Sequence, residues 1–210
     1  DQDSTSTLGG YASNPFDVKK SQQGLATFDR RHVLSVSALW TPIGLGAFGN
    51  PFLDAVASGW RFTAIFRASS GSPLEFVNCV DQALDGTGSD CYQHPVVLRN
   101  PKLDHESRAD MISEYFDTGA LVLPEIGTYG NAGRGLITGP GSWTFDLGIL
   151  KEFGLGITEE SKVQFRAEFF NLFNNPNFGN PNTRLTSSRF GQITSAGSGR
   201  EGQLALKILW

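Results

Sequence analysis

KVQFRAEFFNLFN, residues 162–174, is the stretch that decides the fold, because apolar and polar side chains alternate along it. The apolar set is Val163, Phe165, Ala167 and Phe169, and the polar set is Gln164, Arg166 and Glu168. A period of two is typical of a β-strand, since successive side chains point to opposite sides of the sheet. The stretch therefore predicts a strand with one apolar face and one charged face.

Four further segments alternate in the same way, namely HVLSVSALWT (32–41), WRFTAIFRASS (60–70), WTFDLGILKEF (143–153) and QLALKILW (203–210). Their apolar positions are Leu34, Val36, Ala38 and Trp40; Trp60, Phe62, Ala64, Phe66 and Ala68; Trp143, Phe145, Leu147, Ile149 and Phe153; Leu204, Leu206, Ile208 and Trp210. Charged residues occupy the intervening positions, as Arg61, Arg67, Asp146 and Lys207 do. The pattern predicts an all-β chain with about five long antiparallel strands.

Strand length and composition favour a membrane over a soluble core. Ten residues at a rise of ~3.3 Å, tilted by about 40°, span roughly the 25 Å height of an apolar band. No stretch approaches the ~20 apolar residues of a membrane helix, so a crossing requires strands in a closed barrel. Large aromatic residues cluster near strand ends, as in the girdles of outer-membrane barrels: Trp40, Trp60, Trp143, Phe153, Phe173 and Trp210. We expect the charged face to meet an enclosed aqueous interior.

The connections between the strands alternate between long and short. Roughly 70 residues join the second and third strands, whereas GLGITEES joins the third and fourth. Outer-membrane barrels have long extracellular loops and short periplasmic turns, and soluble domains seldom contain so long a structureless connection. We therefore predict extracellular loops at 1–31 and 77–142 and a periplasmic C-terminus. VVLRN and ALVLP would add two strands if they pair inside the long loop.

The two cysteines, Cys79 and Cys91, lie in one polar loop. A disulfide between them predicts an oxidising compartment, and two free thiols are the alternative. Net charge is -4 and the pI is about 5.4, so no basic surface is expected to bind nucleic acid.

Catalytic and metal-binding motifs are not found. The chain contains neither HExxH nor GxSxG, and His94 with Cys91 falls short of a zinc site. DQALDGTGSDCY (81–92) resembles a calcium loop only in part, since Ala83 and Tyr92 replace oxygen ligands. We expect no enzymatic activity, no cofactor and no bound metal.

Several motifs, in order, resemble the C-terminal barrel of TonB-dependent outer-membrane receptors, specifically the Oar-like group. They are FDRRH (28–32), SGSP (70–73), YFDTGAL (115–121), GTYGNAGR (127–134), GPG (139–141), FRAEFFNLFNNPNFG (165–179), FGQI (190–193) and the terminal QLALKILW. The resemblance implies a plugged barrel of about 22 strands, of which this chain supplies the last quarter. It also implies active uptake of a scarce solute, such as a siderophore or glycan, driven by the TonB system through an N-terminal part.

The resemblance also implies roles for individual residues. The expected lumen-facing side chains are Arg61, Arg67, Asp146, Gln164, Arg166, Glu168 and Lys207. The expected lipid-facing side chains are Phe165, Phe169, Leu204, Leu206, Ile208 and Trp210. Residues 202–210 resemble the strand that the barrel assembly machinery recognises, although most barrels end in Phe rather than Trp.

Two other functions remain open at this point. The barrel could anchor a surface adhesion or binding module formed by its long loops. Alternatively, the chain could be a soluble secreted β-sandwich, in which case the apolar faces would be buried against each other. The cell outer membrane is the location that the first two hypotheses predict.

Overall fold

The computed structural model describes residues 13–17, 24–42, 48–86, 91–157 and 161–210. The chain forms two compact units. We call residues 32–69, 142–177 and 198–210 the wall unit, and residues 1–31, 70–141 and 178–197 the loop unit. Of the predicted extracellular segment 1–31, residues 1–12 and 18–23 lie outside the described residues.

Seven strands are described and are numbered in chain order: β1 (Val33–Trp40), β2 (Trp60–Ser69), β3 (Val96–Val97), β4 (Leu121–Val122), β5 (Ser142–Gly154), β6 (Lys162–Phe170) and β7 (Glu201–Leu209). The wall unit is one antiparallel sheet in the order β1-β2-β5-β6-β7. These are the five predicted long strands. The sheet is open, because within the described ranges β1 and β7 each pair on one side only.

The register of the sheet aligns like faces across every ladder. Phe66 pairs with Val36 on one side and with Phe145 on the other, and Leu204 pairs with Ala167. Directly paired residues share a face in an antiparallel sheet. The apolar positions therefore form one continuous face of the wall unit, and the charged positions form the other.

The apolar face of this sheet is not a dry core. Leu204 is 71% exposed and Leu206 is 67% exposed, and Ala167 is the buried hydrophobic residue that the wall unit contributes among the described residues. A β-sandwich would bury these side chains against a second sheet. Within the described residues the wall unit is a single open antiparallel layer, as predicted for a partial barrel, and not one half of a sandwich.

The strand predicted at 162–174, which is β6, is shorter than predicted. It ends at Phe170 rather than continuing to residue 174. Asn171 and Asn174 have φ angles of 48° and 52°, in the left-handed region that asparagine tolerates better than most residues. The Asn171 side chain accepts a hydrogen bond from the Asn175 amide at 3.0 Å, which closes the turn.

A short helix, α1 (Pro51–Ala57), lies in the connection between β1 and β2. Its start follows from local sequence, because the Asn50 side chain accepts hydrogen bonds from the amides of Phe52 and Leu53. Proline at the first helical position needs no such partner. We did not predict this helix. Among the described residues, none of the helices is long and apolar enough to cross a membrane.

The loop unit has a hydrophobic core of its own. The buried residues Leu74, Phe76, Phe116 and Leu121 form it. The ring centre of Phe116 lies 4.9 Å from that of Phe76 and 5.0 Å from that of Phe190, and both contacts are edge-to-face. The expectation that the long connection is structureless was wrong, because it buries enough apolar surface to fold.

Short elements complete the loop unit. β3 pairs with β4, as VVLRN and ALVLP predicted, but this pair forms a separate two-stranded sheet. A second helix, α2 (Arg108–Ser113), is capped by the Ser107 side chain, which accepts from the Asp110 amide at 3.1 Å.

Candidate functional site

The charged face of the wall unit carries every side chain that we predicted to line a lumen. Gln164 pairs with Lys207, and Arg166 lies between Leu150 and Ala205. Arg61 pairs with Leu150 from the other side and therefore lies in the same row as Arg166. Glu168 pairs with Gln203. Arg67 and Asp146 belong to the same face, since Arg67 pairs with Thr144, two residues before Asp146.

Ion pairs connect these charges across the ladders. Arg67 lies 3.4 Å from Asp146, and Lys162 lies 3.4 Å from Glu152. Gln164 donates to Glu152 at 2.7 Å. Charges of both signs are thus arranged to compensate one another on a surface that remains accessible to water, where such pairs cost little desolvation.

A concavity of about 300 Å³ lies on the wall unit. Gly148 forms part of its lining, and the absence of a side chain there leaves space between the flanking residues. Its polar lining consists of Arg61, Thr63, Asp146, Arg166 and Glu168. Guanidinium, hydroxyl and carboxylate groups around one depression can bind polar solutes through several hydrogen bonds at once.

The opposite face carries the strand residues that we predicted to meet lipid. Phe165 pairs with Leu206, and Phe169 pairs with both Leu147 and Gly202. Ile208 pairs with Val163 and is 51% exposed. Trp210 follows β7 and is 92% exposed. The register therefore unites Phe165, Phe169, Leu204, Leu206 and Ile208 on one surface.

One residue of the apolar face escaped prediction. Lys151 pairs with Trp60 and Phe165 and therefore lies on this face, yet it is only 2% exposed. Its ammonium donates to the backbone carbonyls of Ala55, at 2.6 Å, and of Ser58. The signal was available in WTFDLGILKEF, where a lysine interrupts the apolar positions between Ile149 and Phe153.

The loop unit contains a partly buried cluster of Glu75, His94 and Arg134, of which His94 is buried. Arg134 Nη2 lies 3.0 Å and His94 Nε2 3.5 Å from Glu75 Oε1. His94 Nδ1 donates to the Ala132 carbonyl at 2.8 Å. The hydrogen bond from His94 and the charge of Arg134 hold the pKa of Glu75 below its usual value, although burial acts in the opposite direction.

This cluster predicts that acid weakens the loop unit. A carboxylate with a lowered pKa contributes stability in full above its ordinary value of 4.5, and this contribution is lost as the pH falls through the lowered pKa. Glu75→Gln should therefore reduce stability at neutral pH and flatten its dependence on pH below 4.5. Amide hydrogen exchange of the loop unit, followed against pH, measures both effects.

The matched control for this prediction is Glu125→Gln, an exposed carboxylate of the same unit. This variant should still lose stability of the loop unit as the pH falls, as the unsubstituted protein does. An unchanged profile in Glu75→Gln would show that Glu75 does not stabilise the loop unit.

Asp81 and Asp85, in the stretch that resembles a calcium loop only in part, are held by protein groups. Gln93, which is 1% exposed, donates to Asp81 at 2.8 Å and to Asp85 at 3.0 Å. Tyr129 donates to Asp85 at 2.9 Å; burial and this carboxylate raise the pKa of Tyr129 to about 12. Within the described ranges, no cluster of three or more acidic, histidine or cysteine side chains is placed to hold a metal ion.

Cys79 and Cys91 form a disulfide, as predicted. The bridge joins the two ends of the segment that contains Asp81 and Asp85. Closing a loop of about 15 residues stabilises a fold by about 3 kcal/mol in the chain-entropy model. The bridge therefore helps to hold the carboxylates around Gln93.

Two motif glycines allow close backbone contacts in the loop unit. A Cβ atom on Gly130, in GTYGNAGR, would lie 2.0 Å from the His94 carbonyl oxygen, and one on Gly71, in SGSP, would lie 1.7 Å from that of Gly139. No side chain fits at either position. These motif glycines therefore mark close packing of the backbone in the loop unit.

Comparison with known protein families finds a match over nearly the whole chain. A family model described as an outer membrane beta barrel domain matches residues 1–203. Neither a curated protein nor a solved structure matches the chain.

Proposed function

The chain belongs to the family of outer membrane beta barrel domains, and from this premise we propose that it forms part of the wall of a TonB-dependent receptor of the Oar-like group. The protein is located in the outer membrane. In this proposal the complete receptor takes up a scarce solute, such as a siderophore or a glycan. The chain closes the wall, lines the lumen and presents extracellular loops, and it has no catalytic role.

The charged face of the wall unit is the observation that carries the proposal. Its side chains bear both signs of charge and surround the concavity beside Gly148. Such a surface provides polar groups along the path that a solute would take through the lumen. Charged side chains are tolerated in a lumen because water or a plug solvates them, and the apolar face is compatible with contact with lipid hydrocarbon.

The proposal assigns partners to each surface. Lipid contacts the apolar face, and the TonB system acts through an N-terminal part of the receptor. The barrel assembly machinery binds the C-terminal strand, residues 202–210. The segments 1–31 and 77–142 belong to extracellular loops, and nucleic acid is not a partner.

A second candidate function, surface adhesion or binding, is favoured by the loop unit. Its core and its disulfide give it the internal order of a small binding module. In that case the barrel would serve as an anchor. The two functions differ in whether a solute crosses the membrane at the expense of the proton gradient.

Uptake by intact cells tests the proposal. The probes are a set of ⁵⁵Fe-loaded siderophores and a set of fluorescent oligosaccharides, offered to cells with and without the gene. We expect one probe to accumulate only in cells that carry the gene and only without a protonophore. In the same assay, Arg61→Ala with Arg166→Ala should lower uptake, because both line the concavity.

Arg108→Ala is the matched control, since this arginine lies on the exposed α2 helix of the loop unit. It should leave uptake unchanged. Binding of a probe to the cell surface without any protonophore-sensitive accumulation would contradict transport and support the adhesion hypothesis.

A further inference from the structure

Lys151 is the one charged side chain that the wall strands place in the apolar register among the described residues. It stands between Trp60 and Phe165, in the row that continues to Leu206. A lysine in contact with hydrocarbon is strongly unfavourable at the midplane of an outer membrane and less so near its interfaces. Its retention at this position requires a compensating interaction.

The compensation comes from helix α1. Lys151 Nζ donates to the carbonyl oxygens of Ala55 and Ser58 at the C-terminal end of the helix. The last carbonyls of any helix lack intrahelical partners, and a cation at this end is favourable. The ammonium also lies 5.3 Å from the centre of the Trp60 ring and 4.6 Å from that of Phe153, at cation–π distances.

A second bond fixes the helix at the same place. The indole N–H of Trp60 donates to the Val56 carbonyl at 2.9 Å. Because Trp60 and Lys151 both lie in the apolar register, α1 is held at the end of the apolar face where β1 leads into β2. At this position the helix adjoins the surface that we assign to lipid.

The outward side of α1 is apolar. Phe52 is 73% exposed, Leu53 49% and Val56 47%, and their spacing places them on one side of the helix. Asp54 is half-buried and accepts a hydrogen bond from the Phe48 amide at 2.7 Å. An apolar side of this kind, continuous with a lipid-facing wall, is typical of a helix that lies in the membrane interface.

We infer that α1 is a membrane-interface anchor whose Phe52, Leu53 and Val56 side chains insert among the phospholipids of the leaflet at this end of the strands, and that Lys151 is the positioning residue that holds the helix there. The inference rests on the proposed lipid-facing assignment of the apolar face. It adds a contact with lipid made by a connection, outside the strands.

Spin labelling of the full-length protein in phosphatidylethanolamine–phosphatidylglycerol nanodiscs tests the inference. Nitroxides are attached to cysteines introduced singly at Phe52, Val56, Asp54 and Leu206. Collision with molecular oxygen, which concentrates in hydrocarbon, is compared with collision with a water-soluble nickel chelate. We expect labels at Phe52 and Val56 to favour oxygen and the label at Asp54 to favour nickel.

The label at Leu206 separates this inference from the proposed function. If Leu206 favours oxygen while Phe52 and Val56 favour nickel, the wall faces lipid but the helix does not, and the inference is overturned. If Leu206 itself favours nickel, the assignment of the apolar face is wrong, and the anchor fails with it.

The role of Lys151 is tested by a pair of substitutions combined with the label at Val56. Lys151→Met, which retains the long apolar stem, should abolish the preference for oxygen, whereas Lys151→Arg should preserve it through its donors. Heat-modifiable migration on gels confirms that each variant has folded. A preference for oxygen that persists in folded Lys151→Met would overturn the positioning role.

Discussion

Leu204→Arg is expected to destabilise the full-length protein in lipid vesicles by about 2–4 kcal/mol. Leu204 is 71% exposed on the apolar face and pairs with Ala167, so the loss cannot arise from a cavity in a packed core. It would arise because the guanidinium must be transferred into hydrocarbon. Equilibrium unfolding in urea, followed by tryptophan emission in vesicles, measures the difference.

Gln203→Arg is the matched control, because Gln203 is the preceding residue of β7 and lies on the charged face. It pairs with Glu168 and donates a hydrogen bond to its carboxylate, so an arginine there gains an oppositely charged neighbour. We expect a change within about 0.5 kcal/mol, as for most surface substitutions. Equal costs for the two substitutions would contradict the assignment of the faces.

Phe116→Ala is expected to destabilise the loop unit by about 3–5 kcal/mol, the usual cost of truncating a buried phenylalanine. Phe116 has no exposed surface and contacts the rings of Phe76 and Phe190. Its loss would remove the centre of a small core that has few other members. Amide exchange at Leu98, whose N–H donates to Ala120, should accelerate more than about a hundredfold.

The control for this substitution is Ile126→Ala, in the same unit. Ile126 is 77% exposed, and its truncation should leave exchange at Leu98 nearly unchanged. The gel mobility of the folded barrel should be the same in both variants. Unaltered exchange in Phe116→Ala would show that the aromatic cluster does not stabilise the loop unit.

The strands of the wall unit were predictable because each of them must satisfy two environments. Alternation alone located β2 and β5 to within a residue of their ends. The extent of β6 was less predictable, since NLFN continues to read as a strand until the left-handed backbone of Asn171 is known. The pairing of β3 with β4 was also predictable, as two short apolar runs in one loop.

The loop unit could not be predicted in the same way, because its core joins residues far apart in sequence. Phe76, Phe116 and Phe190 carry no periodic signal, and only folding brings them together. The contact of His94 with Glu75 is of the same kind. Helix α1 has too few residues for a period, although Asn50 followed by Pro51 is typical of a helix start.

The alignment of like side chains across all four ladders of the wall has a consequence for how the strands find one another. Sliding β2, β5, β6 or β7 by a single residue would move charged side chains into hydrocarbon and phenylalanines or leucines into water. The preference of each side chain for hydrocarbon or water therefore disfavours every odd-numbered shift of these strands. The remaining, even-numbered shifts must be rejected by exceptional positions, such as Lys151 in the apolar row and Gly148 in the charged row.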